Sequence, residues 1–210
     1  RLQSDIVSTC YTVIALDLIV NPRPQAATPE DYELCDNGTD DTDGIATFDL
    51  TTRNEEVLNE MDPAQYSVSY YETMAAAQLG LTPIATPGNY NSPTATVYVR
   101  VTNNATGCYD IVPLELIVNP LPVVNNPAPY TLCDVNNPGD EVEEFDLTTQ
   151  YEFIVDDQNG INITFHHSYA DAQTGDNPEE NITAYENDGA VETLFVRVTT
   201  EATGCYRIVL

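Results

Sequence analysis

The sequence has 210 residues, of which 34 are acidic and 6 are basic, and all six basic residues are arginine. The resulting net charge of −28 repels nucleic-acid phosphates and anionic lipid headgroups, which excludes both as direct partners. Hydrophobic residues make up 42% of the chain, enough to build a core. No apolar run reaches the length of a membrane-spanning helix, so we expect no direct membrane insertion in this segment.

An internal repeat of about 97 residues organises the whole sequence. The segment LDLIVNP at 16–22 returns as LELIVNP at 114–120, and FDLTT at 48–52 returns at 145–149. This spacing divides the chain into three predicted parts: the C-terminal strands of a preceding repeat at 1–22, a complete repeat at 23–120, and a repeat lacking its last strand at 121–210.

Paired prolines mark the joints between these parts, at Pro22 and Pro24 and again at Pro120 and Pro122. Proline fixes the backbone angle φ and removes a hydrogen-bond donor, so these joints are predicted to be short, semi-rigid linkers. The first partners expected for each repeat are therefore the neighbouring repeats of the same chain.

Apolar and polar side chains alternate along each repeat, as they do in half-buried strands. Val97, Val99 and Val101 are predicted to face the core, while Tyr98 and Arg100 face outward. Short helical turns are predicted where capping residues interrupt the strands, at 52–58, 73–80 and 168–175. About seven short strands per repeat predict an all-β fold of tandem immunoglobulin-like β-sandwich repeats.

The cysteines follow the repeat, and each full repeat holds two of them. We therefore predict disulfides within each repeat, Cys35–Cys108 and Cys133–Cys205. Cys10 is left unpaired, because its partner would lie upstream of the first residue. The alternative is buried free thiols. Disulfides would indicate an oxidising compartment.

Acidic residues gather in the loop that follows each Leu-Cys-Asp motif. Oxygen ligands followed by a glycine such as Gly44 are typical of a calcium loop, so structural calcium is the one predicted cofactor. The alternative is a solvated acidic loop, since neither loop fits the EF-hand template and Pro138 replaces an expected ligand. The candidate calcium ligands are Asp36, Asp40, Asp41, Asp43, Asp134, Asn136 and Asp140.

The sequence contains no nucleophile elbow, glycine-rich phosphate loop or HExxH zinc motif. A repeated acidic surface also argues against a single catalytic cleft, so no catalytic residue is assigned and the chain is predicted not to be an enzyme. Arg100 and Arg197 recur at one strand position and are expected to form surface ion pairs or to stack on Tyr98 and Phe195.

Several motifs together resemble a known kind of repeat: LCD at 34–36, FDLT at 48–51, VRVT at 99–102, TGCY at 106–109, LIVNPLP at 116–122 and ADAQTG at 170–175. Similar repeats occur in very large secreted or surface proteins of Bacteroidota, particularly gliding flavobacteria, which are exported by the type IX secretion system. The resemblance implies an extracellular location at the bacterial surface, outside the outer membrane. It also implies a role in an adhesin connected with gliding motility.

From these observations we expect a non-enzymatic stalk region of a large cell-surface or secreted adhesin. One alternative is an array of modules that bind a surface glycan or a protein ligand, which aromatic residues expected to be exposed, Tyr71, Tyr98 and Phe195, would favour. Another alternative is an accessory region of a large secreted hydrolase.

Overall fold

The computed structural model describes residues 2–3 and 11–209. The strands, in chain order, are β1 (Leu2–Gln3), β2 (Tyr11–Thr12), β3 (Tyr32–Cys35), β4 (Ala46–Phe48), β5 (Tyr66–Tyr71), β6 (Tyr90–Ser92), β7 (Ala95–Asn103), β8 (Tyr109–Asn119), β9 (Glu144–Phe145), β10 (Ile161–His166), β11 (Tyr185–Glu186), β12 (Phe195–Thr200) and β13 (Tyr206–Val209). The α-helices are α1 (Asn54–Leu58), α2 (Met74–Leu79), α3 (Tyr151–Val155) and α4 (Tyr169–Thr174). Single 3₁₀ turns at Leu50–Arg53 and Leu147–Gln150 lead into α1 and α3. The predicted all-β fold with short helical turns is confirmed. Within the described residues, every helix is too short to cross a membrane.

The first repeat is built around a four-stranded sheet in the order β3-β8-β7-β5, with β4 and β6 forming a separate antiparallel pair. Val97, Val99 and Val101 on β7 are at most 1% exposed, which confirms the predicted alternation. Strand β3 runs parallel to β8, so that Cys35 is the register partner of Asn119. This pairing places Cys35 at the C-terminal end of β8.

The second repeat has the same design, with a sheet in the order β10-β12-β13 and an antiparallel pair of β9 and β11. Its apolar core is formed by Leu147, Ile154, Val155, Ile163, Phe165, Tyr185, Val196, Val198 and Val209.

Two of the short helices begin and end as the sequence predicts. The side chains of Thr73 and Ser168 accept a hydrogen bond from the backbone N–H three residues later and so cap α2 and α4. Both helices end at a glycine in the left-handed region, Gly80 at φ 66° and Gly175 at φ 78°.

The described residues divide into two compact units. The first comprises segments of Arg1–Pro29, Thr51–Ala85 and Val97–Pro113, and the second comprises Glu30–Leu50, Thr86–Thr96 and Leu114–Leu210. The second unit therefore contains part of the first repeat together with the second repeat.

Candidate functional site at the junction of the two repeats

One disulfide joins the two repeats, and it lies within the second compact unit. Cys35 at the end of β3 is bonded to Cys205, which directly precedes β13, with the two Cα atoms 5.6 Å apart. Among the described cysteines, Cys108 and Cys133 carry free thiols, with Cys133 exposed. Cys10 lies outside the described residues.

The predicted pairings Cys35–Cys108 and Cys133–Cys205 are therefore wrong, and the direction of β3 explains why. Cys108 precedes the first residue of β8, while Cys35 is paired with the last residue. With 11 residues and a rise of about 3.3 Å per residue, β8 separates the two positions by roughly 36 Å. A disulfide needs its Cα atoms within about 7 Å of each other.

An ion pair lies beside the disulfide. Arg207, two residues after Cys205, places Nη2 2.9 Å from Asp41 Oδ2, and the same nitrogen donates to the backbone oxygen of Asp41 at 3.1 Å. The Arg207 side chain is 27% exposed and that of Asp41 is 43% exposed. Both residues line two clefts, with volumes of about 630 and 380 Å³. One predicted calcium ligand, Asp41, thus contacts an arginine of the other repeat.

The remaining calcium candidates of the first loop hydrogen-bond to their own loop. Asp36 Oδ2 accepts from the backbone N–H of Gly44 at 2.9 Å, and Asp40 accepts from the N–H and hydroxyl of Thr42. Asp43 accepts from the N–H of the second residue after it. These bonds shape the loop without bringing the carboxylates together.

The second acidic loop is organised around a residue that sequence reasoning missed. Glu143 is 9% exposed and accepts hydrogen bonds from the backbone N–H and side-chain amide of Asn136. Asp134 accepts from the N–H of Gly139, and Asp140 from an N–H two residues later. The period-two position of Glu143, next to β9, was the signal for its burial.

Calcium binding stays a prediction. In the described part of the chain, no three acidic, histidine or cysteine side chains lie close enough together to hold a metal ion. Asp36 Oδ1 and Asp134 Oδ1, which occupy equivalent positions in the two repeats, are buried without a hydrogen-bond partner among the described residues.

The comparison with protein families fits the bond between the repeats. The model of the Flavobacterium inter-domain disulphide bond domain matches residues 31–122 and 129–210. The chain belongs to this family. Its two copies of the inter-domain disulphide bond domain make it a tandem-repeat region of the flavobacterial kind. A comparison with curated proteins and with solved structures gives no match.

In each of the two domains, an arginine stacks on a tyrosine that is not the partner expected from the sequence; we call this arginine with its contacts the arginine bracket. Arg100 stacks on Tyr109 with 3.7 Å between Cζ and the ring centre, and Arg197 stacks on Tyr206 at 3.5 Å. The expected partners were Tyr98 and Phe195, which neighbour the arginines along the strand. The tyrosines lie instead on the adjacent strand, where their rings lie beneath the guanidinium groups.

The same arginines hold the ends of the short helices. Arg100 Nη1 donates to Ala77 O at 2.6 Å, and Arg197 Nη1 donates to Ala172 O at 2.7 Å. The last carbonyl oxygens of a helix lack partners within the helix, so a charged donor there is favourable. The arginine bracket is thus a structural element of both domains.

The aromatic residues that motivated a glycan-binding array are less accessible than predicted. Tyr71 is only 4% exposed, and Tyr98 and Phe195 are half-buried. The position of Tyr71 corresponds to His166 in the second domain, which is fully buried between Thr164 and the carbonyl oxygen of Asp176. Both residues are core side chains.

Proposed function

We propose that this chain is part of a non-enzymatic stalk in a flavobacterial cell-surface or secreted adhesin, located outside the outer membrane. The observation that carries the proposal is the Cys35–Cys205 bond between two domains. A covalent link at the junction limits how far the neighbouring domains can separate, which is the property that a load-bearing stalk needs.

The geometry of the bond allows it to recur along an array. Cys35 and Cys205 occupy different positions in the domain, so every domain carries one cysteine of each kind. Cys133 corresponds to Cys35, and Cys108 corresponds to Cys205. Each domain can therefore be bonded to the domain before it and to the domain after it.

The free thiol of Cys108 shares one contact with the bonded Cys205, the carbonyl oxygen of the linker asparagine. Cys205 Sγ lies 4.0 Å from the carbonyl oxygen of Asn119, and Cys108 Sγ lies 3.9 Å from that of Asn21, the corresponding linker residue. Bonds of this kind persist in oxidising surroundings such as the cell exterior, which supports the proposed location.

The proposal is tested on the native protein at the surface of flavobacterial cells. An antibody raised against this region should bind intact cells, with a cytoplasmic protein probed in parallel to confirm that the cells are unbroken. Non-reducing peptide maps of the recovered protein should then show Cys108 and Cys133 bonded to cysteines of other domains. Antigen detected only after lysis, or both residues recovered as free thiols, would refute the proposal.

A further inference from the structure

The last strand of each domain carries a charged residue at the same position, and the sign of the charge is opposite in the two domains. Arg207 and Asp110 both lie two residues after the cysteine that opens the last strand. Arg207 reaches across to the acidic loop of the first domain and contacts Asp41. Asp110 is 8% exposed at its side chain and turns to a different partner, Arg23.

The partner of Asp110 comes from the linker that precedes its own domain. Arg23 stands in the sequence Asn-Pro-Arg-Pro and forms an ion pair with Asp110 Oδ1, while the N–H of Ala26 donates to Oδ2 at 3.2 Å. The corresponding linker residue of the second domain is Leu121, which has no charge and lines the clefts beside Arg207. Arg207 therefore pairs with a carboxylate of the preceding domain and not with a residue of its own linker.

The acidic loop that contacts Arg207 in the first domain differs from the equivalent loop of the second domain at the position of Asp41. Asp41 lies six residues after Cys35, within the loop that receives Arg207. The second domain's loop is one residue shorter, so the aligned position is Pro138 or Gly139, and neither carries a carboxylate. Arg207 thus has a counter-ion at this position in the first loop, whereas in the second loop the nearest following carboxylate, Asp140, lies one or two residues later and accepts hydrogen bonds from Asn137 and Val142.

We propose that the Arg207–Asp41 pair selects the partner of Cys205. The residue two positions after the strand cysteine specifies which neighbouring loop a domain docks on, and the ion pair positions Cys205 against Cys35 before the bond forms. A low-molecular-weight disulfide of the surroundings is the oxidant: one cysteine thiolate attacks it and releases one reduced thiol, and the other thiolate then displaces the second thiol to leave the Cys35–Cys205 bond. The partner that fits Arg207 is a copy of this domain with a carboxylate six residues after its Leu-Cys-Asp cysteine. The inference rests on the part of the proposed function in which domains are joined through their cysteines.

The partner of Cys205 has to be selected, because Cys35 and Cys133 are both cysteine thiols that can form a disulfide with it. Cys133 belongs to the same class as Cys35 and is exposed, so a second molecule can offer it to Cys205. Thiol–disulfide exchange interconverts such pairings until the most stable one accumulates. An ion pair formed only in the Cys35–Cys205 arrangement shifts that equilibrium toward it.

The test is a double-mutant cycle on the 210-residue chain. The reduced, unfolded chain is diluted into a glutathione redox buffer, quenched with an alkylating reagent, and mapped by mass spectrometry for Cys35–Cys205 against all other pairings. The variants are Asp41→Arg, Arg207→Asp and the double reversal. Arg23→Asp is the matched control, because it breaks the corresponding ion pair of the other domain.

We expect each single reversal to lower the ratio of Cys35–Cys205 to other pairings about five-fold, the effect of losing about 1 kcal/mol from a partly exposed ion pair. The double reversal should restore the ratio to within about two-fold of the original chain, and Arg23→Asp should leave it unchanged. An unchanged ratio in Asp41→Arg, a loop variant that leaves both cores intact, overturns the proposal. So does a double reversal that is no better than the single ones. This experiment measures only the disulfide pairing, so a negative result would not refute the proposed location or the stalk role, which the experiment on intact cells tests separately.

Discussion

Cys35 and Cys205 are bonded to each other although 170 residues separate them in the sequence and they belong to different domains. The bond closes a very long loop, so it removes much of the conformational entropy of the unfolded chain. In the chain-entropy model, a loop of this length corresponds to about 5 kcal/mol of stabilisation.

Replacing one partner of this bond should therefore destabilise the chain strongly. We expect Cys205→Ser to lower the free energy of unfolding by about 2–5 kcal/mol, measured by urea denaturation of the oxidised protein. Cys108→Ser is the matched control, since Cys108 occupies the equivalent position but has a free thiol. Equal effects of the two variants would contradict the assignment of the bond to Cys205.

The glycines that end the two capped helices should respond unequally to substitution. An added Cβ at Gly80 would lie 3.0 Å from Arg100 Nη1, whereas at Gly175 its nearest contact is 3.6 Å, to Arg197. Both positions have positive φ, so each alanine costs about 1 kcal/mol in backbone strain. Gly80→Ala should cost about 1 kcal/mol more than Gly175→Ala, because Arg100 must also yield its bond to the helix. Thermal unfolding of both variants measures the difference, and the reverse order would argue against the arginine bracket.

The stacking of Arg100 on Tyr109 predicts a difference between an aromatic and an aliphatic replacement. Tyr109→Phe keeps the ring beneath the guanidinium and should change the free energy of unfolding by less than about 0.5 kcal/mol. Tyr109→Leu removes the ring and should cost about 1–2 kcal/mol, through the lost cation–π contact and poorer packing. Chemical denaturation of both variants provides the measurement. Equal losses would show that the ring is not the stabilising feature.

Acid should weaken the second domain through Asp171. Hydrogen bonds from the Ser168 hydroxyl, and then from the Asn177 amide, hold the pKa of Asp171 below the ordinary carboxyl value of about 3.9. Because the folded state favours the ionised form, the stabilisation is complete above the ordinary pKa and is lost as the pH falls through the folded value. The original chain should thus melt at a higher temperature than Asp171→Asn near neutral pH, and the gap should close as the pH falls below about 4. A gap that stays constant down to pH 2 would disprove this role.

Chelation tests the calcium prediction. If the acidic loops bind calcium as the sequence predicts, EDTA should lower the melting temperature of the chain, and an unchanged melting temperature would contradict that prediction. A fall in melting temperature that Asp36→Asn abolishes would establish calcium binding through the buried oxygen of Asp36.

The fold follows from local sequence patterns. Alternation along Val97, Val99 and Val101 predicts a strand with one buried face, and the structure has it. Ser168 and Gly175 likewise mark the two ends of α4. Such features depend on backbone geometry and on neighbours close in the sequence, so the sequence alone reveals them.

The partners of side chains across strands could not be obtained in the same way. The prediction gave Arg100 either a surface ion pair or a stack on Tyr98, two residues before it on the same strand, whereas the ring that it contacts is Tyr109 on another strand. Tyr71 was expected to be exposed and is buried. Both outcomes depend on strand order and on which sheet face is covered, which a period-two pattern does not encode.

By itself, the sequence determined the repeat, the all-β class, the helix caps and the presence of two cysteines in each domain. Only the tertiary structure decided which cysteines meet. The parallel pairing of β3 with β8 carries Cys35 away from Cys108 and toward the next domain, where Cys205 lies. A repeat tells how often a thiol recurs, but the direction of the strand that bears it decides which thiol it can reach.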